Sequence, residues 1–86
     1  MEFKKYRRKQ VAELRPITKE DIYAFKTHNK KLYVMSDSWV ITVSISQADI
    51  DNGSPKLGDM IARNSKNHKD QWLVAKEYFE ENFEEI

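Results

Sequence analysis

The last third of the chain, from Gly53 to the end, constrains the fold more than any other stretch. It holds both glycines, one of the two prolines and one of the two tryptophans, so strong turn signals and core residues are concentrated there. β-prone runs occupy 60–63 and 71–74, and a polar run separates them. From Lys76 the apolar residues follow a helical spacing. We therefore predict a turn, a strand, a hairpin loop, a strand and a C-terminal helix, in that order.

A second interpretation of the same stretch places helix where we predict a strand. Asp70 is a good helix N-cap, and Trp72, Ala75 and Phe79 fit one helical face. A helix from Asp70 to the end therefore competes with the strand at 71–74. We favour the strand because Trp-Leu-Val is bulky and β-prone, and because the strand at 60–63 needs a neighbour for its backbone hydrogen bonds.

The first half of the chain carries further turn and cap signals. Alternation predicts a first strand from Arg8 to Arg15, and Thr18 followed by Asp21 predicts the start of a short helix. Strands are expected at 32–35 and 39–45 as a hairpin, with Trp39 on the same face as the apolar residues that alternate with it. Ser46 would cap another short helix that a left-handed Gly53 closes. The prediction is an α+β domain with a small, mostly antiparallel sheet of four to five strands and two or three short helices, the last at the C-terminus.

Composition bounds the class of protein. Eighty-six residues make a single domain, 1–86, of which we expect the first five residues to be mobile. The chain has no cysteine, which excludes disulfides and thiolate zinc sites, and no apolar run has the length of a membrane span. We therefore expect a cytoplasmic protein that does not bind membranes.

Charge is distributed unevenly along the chain. Residues 1–34 hold ten Lys and Arg against four Asp and Glu, whereas residues 35–86 hold five against ten. The two parts thus carry +6 and −5. Either the basic head and the acidic C-terminal helix pair, within one chain or across a dimer, or the head offers a basic surface to a partner. The basic head comprises Lys4, Lys5, Tyr6, Arg7, Arg8 and Lys9, in which Tyr6 would stack on a base while the cations contact phosphates.

No catalytic pattern stands out. The two histidines, His28 and His68, lie in separate polar segments without cysteine, a poor arrangement for a metal site. Gly58 and Asp59 precede a strand rather than a helix, so a turn is a better interpretation than a phosphate cradle. We expect no enzymatic activity, no metal and no cofactor.

The polar run between the last two strands is the other candidate for function. Seven polar residues exceed what a tight hairpin needs, and long loops on rigid hairpins often bind partners. The predicted partner-binding residues are Arg63, Asn64, Asn67, His68, Asp70 and Gln71.

Three segments together resemble a known group of proteins. They are the head 5–13, Lys-Tyr-Arg-Arg-Lys-Gln-Val-Ala-Glu, the central Gly-Asp-Met-Ile at 58–61, and the tail with Gln-Trp-Leu-Val at 71–74. They resemble small uncharacterised proteins of tailed bacteriophages and prophages, which open with a Lys-Tyr-Arg-Lys-Lys-Pro-Val strand, carry a Pro-Gly-Asp turn, and end in a hairpin and a short helix. This chain departs from the pattern with Gln10 in place of proline and with Lys56-Leu57 between Pro55 and Gly58. The resemblance implies phage origin and a small α+β fold, and no catalytic residues.

Two hypotheses on function follow. The first is a non-enzymatic phage or prophage accessory protein that binds a host or phage protein. The alternative is a nucleic-acid-binding module that uses the basic head. The identity of the partner and the oligomeric state stay open.

Overall fold

The computed structural model describes residues 2–5, 11–36 and 38–85, and for Ser36 it describes the backbone. The described chain is an α+β fold with five strands and three helices, as the sequence predicts. In chain order the elements are β1 Ala12–Pro16, α1 Lys19–Thr27, β2 Leu32–Ser36, β3 Trp39–Val43, α2 Gln47–Asp51, β4 Met60–Asn64, β5 Asn67–Val74 and α3 Lys76–Asn82. No helix among these residues is long and apolar enough to cross a membrane.

The strands form two antiparallel sheets. One has the order β1-β4-β5 and the other is the predicted β2–β3 hairpin. Ser44, just after β3, joins them through a parallel bridge to β5. Its N–H donates to the Gln71 carbonyl at 3.0 Å, and its carbonyl accepts from the Leu73 N–H at 2.8 Å. The two sheets are thus tied by backbone hydrogen bonds as well as by side-chain packing.

The helices begin where the sequence predicts. Thr18 Oγ1 accepts from the Asp21 N–H at 3.1 Å, and Asp21 Oδ2 accepts from the Thr18 N–H at 2.9 Å. This reciprocal capping box satisfies two backbone donors at the start of α1. Ser46 Oγ accepts from the Asp49 N–H at 3.1 Å and caps α2, and Gly53 follows α2 with a φ of 96°. A glycine adopts that left-handed conformation without the steric cost that a side chain would add.

The core lies between the two sheets and under α1. It consists of Ile17, Phe25, Leu32, Val34, Ile41, Val43, Ile61 and Leu73, with Ile22, Ile45 and Ile50 packed at its margin. In β2 and β3 the core residues alternate with more exposed ones, as expected of strands that bury one face, whereas Ala62 beside Ile61 and Val74 beside Leu73 are buried as well. The core is small, as the length of the chain requires.

The prediction of a long loop between β4 and β5 is wrong. Ser65 and Lys66 alone form the turn, and the polar residues from Asn67 onward belong to β5. Asn64 Oδ1 accepts from the Lys66 N–H at 2.9 Å, and this bond closes the turn locally. The polar strand forms because its backbone pairs with β4, with a register shift between Arg63 and Asn64, and this pairing overrides its low strand propensity.

The alternative prediction of a helix at 70–75 is also wrong, because β5 runs to Val74 and α3 begins at Lys76. The first strand begins at Ala12 and includes Pro16; the predicted residues Arg8 to Gln10 lie outside the described residues. Pro16 is tolerated because β1 is an edge strand, in which a missing N–H removes no interior ladder bond. Trp39, predicted to share the buried face of β3, is 58% exposed.

Candidate functional site

The fold brings three chain segments to one end of the molecule. Ala12 pairs with Asn64, so the amino end of β1 lies beside the β4–β5 turn. A groove of about 330 Å³ runs between the start of β3, at Trp39 and Ile41, and the segment 65–69, which comprises the β4–β5 turn and the start of β5. We call this groove and the residues that line it the Trp39 groove.

Trp39 dominates the groove. It alternates with Ile41 and Val43 on the inner face of β3, but it lies one step past the end of the core, so its indole projects toward the β4–β5 turn. The Lys69 ammonium lies 4.4 Å from the ring centroid, within the range of a cation–π contact. With that contact in place, more than half of the Trp39 surface is still exposed.

The opposite face of the β2–β3 hairpin is apolar and exposed. Met35 and Val40 are cross-strand partners, and they are 70% and 67% exposed. Their sequence neighbours Val34 and Ile41 point the other way and are buried. We call the Met35–Val40 pair the hairpin face. Tyr33, the next residue along this side of β2, is half-buried, with its ring edge-on to His28 at 6.0 Å.

A polar cleft of about 400 Å³ separates β1 from β2, and Arg15, Val34, Met35 and Ile61 contribute to its walls. Pairing across the first sheet places Glu13, Arg63 and Gln71 in one row on its core-facing side. Glu13 Oε1 accepts from Arg63 Nε at 2.7 Å and lies 3.4 Å from His68 Nε2. The charges of Glu13 and Arg63 in this row therefore largely neutralise each other.

The six predicted partner-binding residues divide into two groups. Arg63, His68 and Gln71 gather around Glu13, and Gln71 is buried with its amide donating to the His68 carbonyl at 2.8 Å. Asn64, Asn67 and Asp70 lie toward the turn, where Asn67 Oδ1 accepts from the Lys69 N–H at 3.2 Å. They do not form the free loop that the sequence analysis expected.

The basic head is described in part. Lys4 and Lys5 are exposed and outside any helix or strand, whereas Tyr6, Arg7, Arg8 and Lys9 lie outside the described residues. Among the described side chains, α3 makes one ion pair, between Glu77 and Lys56 at 3.8 Å, and none reaches Lys4 or Lys5.

Asp59 is the residue whose role the sequence analysis missed. Its side chain is fully buried and accepts from Ser54 Oγ at 2.7 Å, from the Lys56 N–H at 2.9 Å, from Lys56 Nζ at 3.0 Å and from the Lys76 N–H at 2.9 Å. The last bond matters because the cap residue Ala75 has no side-chain acceptor, so Asp59 caps α3 from a distance. We call Asp59 and its three hydrogen-bond donors, Ser54, Lys56 and Lys76, the Asp59 network.

The environment of Asp59 keeps it ionised. Burial alone would raise its pKa, but the hydrogen bonds from Ser54, Lys56 and Lys76 outweigh burial and hold that pKa below the ordinary value. Asp59 in turn raises the pKa of the Lys56 ammonium. Because every acceptor position is used within the fold, the network serves structure. Ser54 and Lys56 are near Asp59 in the sequence, but Lys76 lies 17 residues away, so no local pattern predicts the bond that caps α3.

Gly58 stands beside this network for a conformational reason. Its φ is 102°, in the left-handed region that favours glycine. A Cβ there would lie 2.7 Å from Cδ of the flexible Lys76 side chain, which would have to move.

Among the described residues, no group of three or more His, Asp or Glu side chains could hold a metal ion. Comparison with models of protein families, with curated proteins and with solved structures finds no match for this chain.

Proposed function

We propose that this chain is a non-enzymatic accessory protein of phage or prophage origin that acts in the host cytoplasm by binding a host or phage protein. The resemblance of the head, the Gly-Asp turn and the tail to small phage proteins supports the origin. The hairpin face supports the binding mode, and it replaces the predicted loop as the contact surface.

The exposed pair Met35 and Val40 carries the proposal. A small domain has few apolar side chains with which to form a core, and most of those in the β2–β3 hairpin are buried in it. Burying a Val or Met side chain contributes about 1.5 to 3 kcal/mol, so leaving both exposed forgoes stability within the chain. A partner that covers the pair recovers that free energy, and methionine is enriched where proteins meet.

The test compares the wild-type chain with the double variant Met35→Thr/Val40→Thr. Threonine keeps strand propensity while removing apolar surface, so the variant folds but loses the contact. We expect a protein that the wild-type chain captures from nuclease-treated bacterial lysate to bind the double variant at least about tenfold more weakly, measured with the purified partner.

Leu57→Ser is the matched control, because Leu57 is 56% exposed and lies outside the hairpin. It should bind as the wild type does. Capture that survives the double variant unchanged, or capture of nothing but nucleic acid before nuclease treatment, would refute the proposal in favour of another surface or of the nucleic-acid alternative.

A further inference from the structure

Beyond the proposed protein binding, we infer that the Trp39 groove binds single-stranded nucleic acid, with an unpaired base stacked on the Trp39 indole and phosphates at Lys66 and Lys69. This surface differs from the hairpin face in position and in chemistry. It also differs from the basic head, which the sequence analysis identified as the nucleic-acid candidate.

Trp39 offers an exposed aromatic side chain at the groove. Trp39 is 58% exposed at the edge of a groove, and the ring surface that Lys69 leaves open is a π surface on which any base can stack. Stacking of this kind requires a base that is not held in a duplex. The feature therefore selects a single strand over double-stranded nucleic acid.

Positive charge at the groove comes from one lysine of the β4–β5 turn and one of β5. Lys66 and Lys69 are both exposed and line the same groove, and Lys69 already lies against the indole. Of the described carboxylates near the groove, Glu13 is bonded to Arg63, and Asp70 follows Lys69 in β5. The described side chains that line the groove itself include two cations and no carboxylate, which suits a phosphate backbone.

Strand β1 begins at the same end of the molecule as the groove. Because Ala12 pairs with Asn64, the chain enters β1 beside the β4–β5 turn. The exposed Lys4 and Lys5 belong to the segment that leads into this strand. The described residues Lys4 and Lys5 thus precede a strand that begins at the end of the molecule that carries the groove.

The experiment measures fluorescence anisotropy of a labelled oligothymidylate on addition of the intact chain, between about 50 and 200 mM salt. Two phosphate contacts on a single strand predict a slope of log affinity against log salt of about −1.4, or roughly a sevenfold loss over that range. Cations of the head would make the slope steeper. A duplex of the same length should bind more weakly.

Two variants test the groove. Trp39→Ala should weaken binding by roughly 5- to 150-fold, the range for one base–aromatic stack, and Trp39→Phe should restore part of it. Lys66→Gln/Lys69→Gln should reduce the salt slope by about 1.4 while leaving the indole in place. Because the substituted side chains are exposed, each variant should keep the unfolding midpoint of the wild type.

Matched controls come from other faces of the molecule. Tyr78 on α3 is 59% exposed, so Tyr78→Ala removes an equally exposed aromatic ring, and Lys19→Gln/Lys26→Gln removes two cations from α1. Neither should alter binding by more than about twofold. The inference is overturned if the oligothymidylate does not bind at the lowest salt, if a duplex binds equally well, or if the Trp39 variants bind like the wild type. Loss of protein capture by the Met35/Val40 variant is a separate result, so the two proposals fail independently.

Discussion

The Asp59 network and the Trp39 groove use polar and aromatic residues in opposite ways. Asp59 is fully buried, and four hydrogen bonds from within the chain satisfy its carboxylate. Trp39 and Lys69 contact each other at the surface, and most of the indole is still open. A buried polar group whose hydrogen bonds are all satisfied stabilises the fold. A large aromatic side chain that is exposed keeps surface that a partner can contact. The comparison predicts that substitutions near Asp59 will change stability, and that substitutions near the surface pairs will change binding.

The largest expected effect is that of Asp59→Ala on stability. The substitution removes the remote cap of α3 and leaves the buried hydroxyl of Ser54 and the partly buried donors of Lys56 without their acceptor. We expect a loss of about 3 kcal/mol in the free energy of unfolding, measured by urea denaturation at neutral pH.

Asp70→Ala is the matched control for this prediction. Asp70 is an exposed aspartate in β5, and its removal should change the free energy of unfolding by less than about 0.5 kcal/mol. Similar losses in both variants would show that the carboxylate of Asp59 has no special structural role.

Acidification should produce part of the same loss. The folded state holds the pKa of Asp59, and also that of Asp21 beside Arg15, below the ordinary value of 3.8, although burial acts to raise both. A carboxyl with a depressed folded pKa stabilises the fold above its unfolded pKa, and this contribution disappears as pH falls through the folded pKa. As the pH is lowered below about 4, the urea concentration at the midpoint of unfolding should therefore decrease in the wild type. In Asp59→Asn the fall should be smaller, and an identical fall would contradict the assignment to Asp59.

The same contrast explains what the sequence could predict. Thr18 and Asp21, and likewise Ser46 and Asp49, are three residues apart, so a local pattern is enough to identify both helix starts. Asp59 and Lys76 are far apart in the chain, and no local pattern indicates that one will cap the helix of the other. The strand conformation of the polar segment that begins at Asn67 could not be predicted for a related reason. It depends on pairing with β4 rather than on the composition of the segment.

The candidate site was harder to predict than the fold. Alternation correctly places Trp39 on the face of Ile41, but alternation does not say where the core ends, and the indole falls just beyond it. The exposed pair of Met35 and Val40 likewise follows from hairpin register, which depends on the turn. The polar residues of the β4–β5 segment were identified as candidates, yet Arg63 and Gln71 are largely engaged within the fold.

Ser54→Ala should have a smaller effect than Asp59→Ala. Ser54 is buried, and its Oγ donates to Asp59 Oδ2 at 2.7 Å. A hydrogen bond to a charged group contributes about 1.5 to 3 kcal/mol, and we expect the lower figure because the donors of Lys56 and Lys76 stay in place. Urea denaturation of Ser54→Ala beside Ser65→Ala, a substitution in the exposed β4–β5 turn, measures the difference. A loss no larger than that of Ser65→Ala would mean that the network does not depend on this donor.

The smallest effect on stability should be that of Met35→Thr/Val40→Thr. In the free chain these side chains are about two-thirds exposed, so shortening them removes little buried surface, and threonine suits a strand. We expect the free energy of unfolding to change by less than about 0.5 kcal/mol, whereas the affinity for a protein partner falls at least about tenfold. Urea denaturation and partner titration of the same preparation separate the two quantities. A stability loss above about 1 kcal/mol would mean that the pair packs within the free chain, and the hairpin face would then belong with Asp59 among the features that hold the fold together.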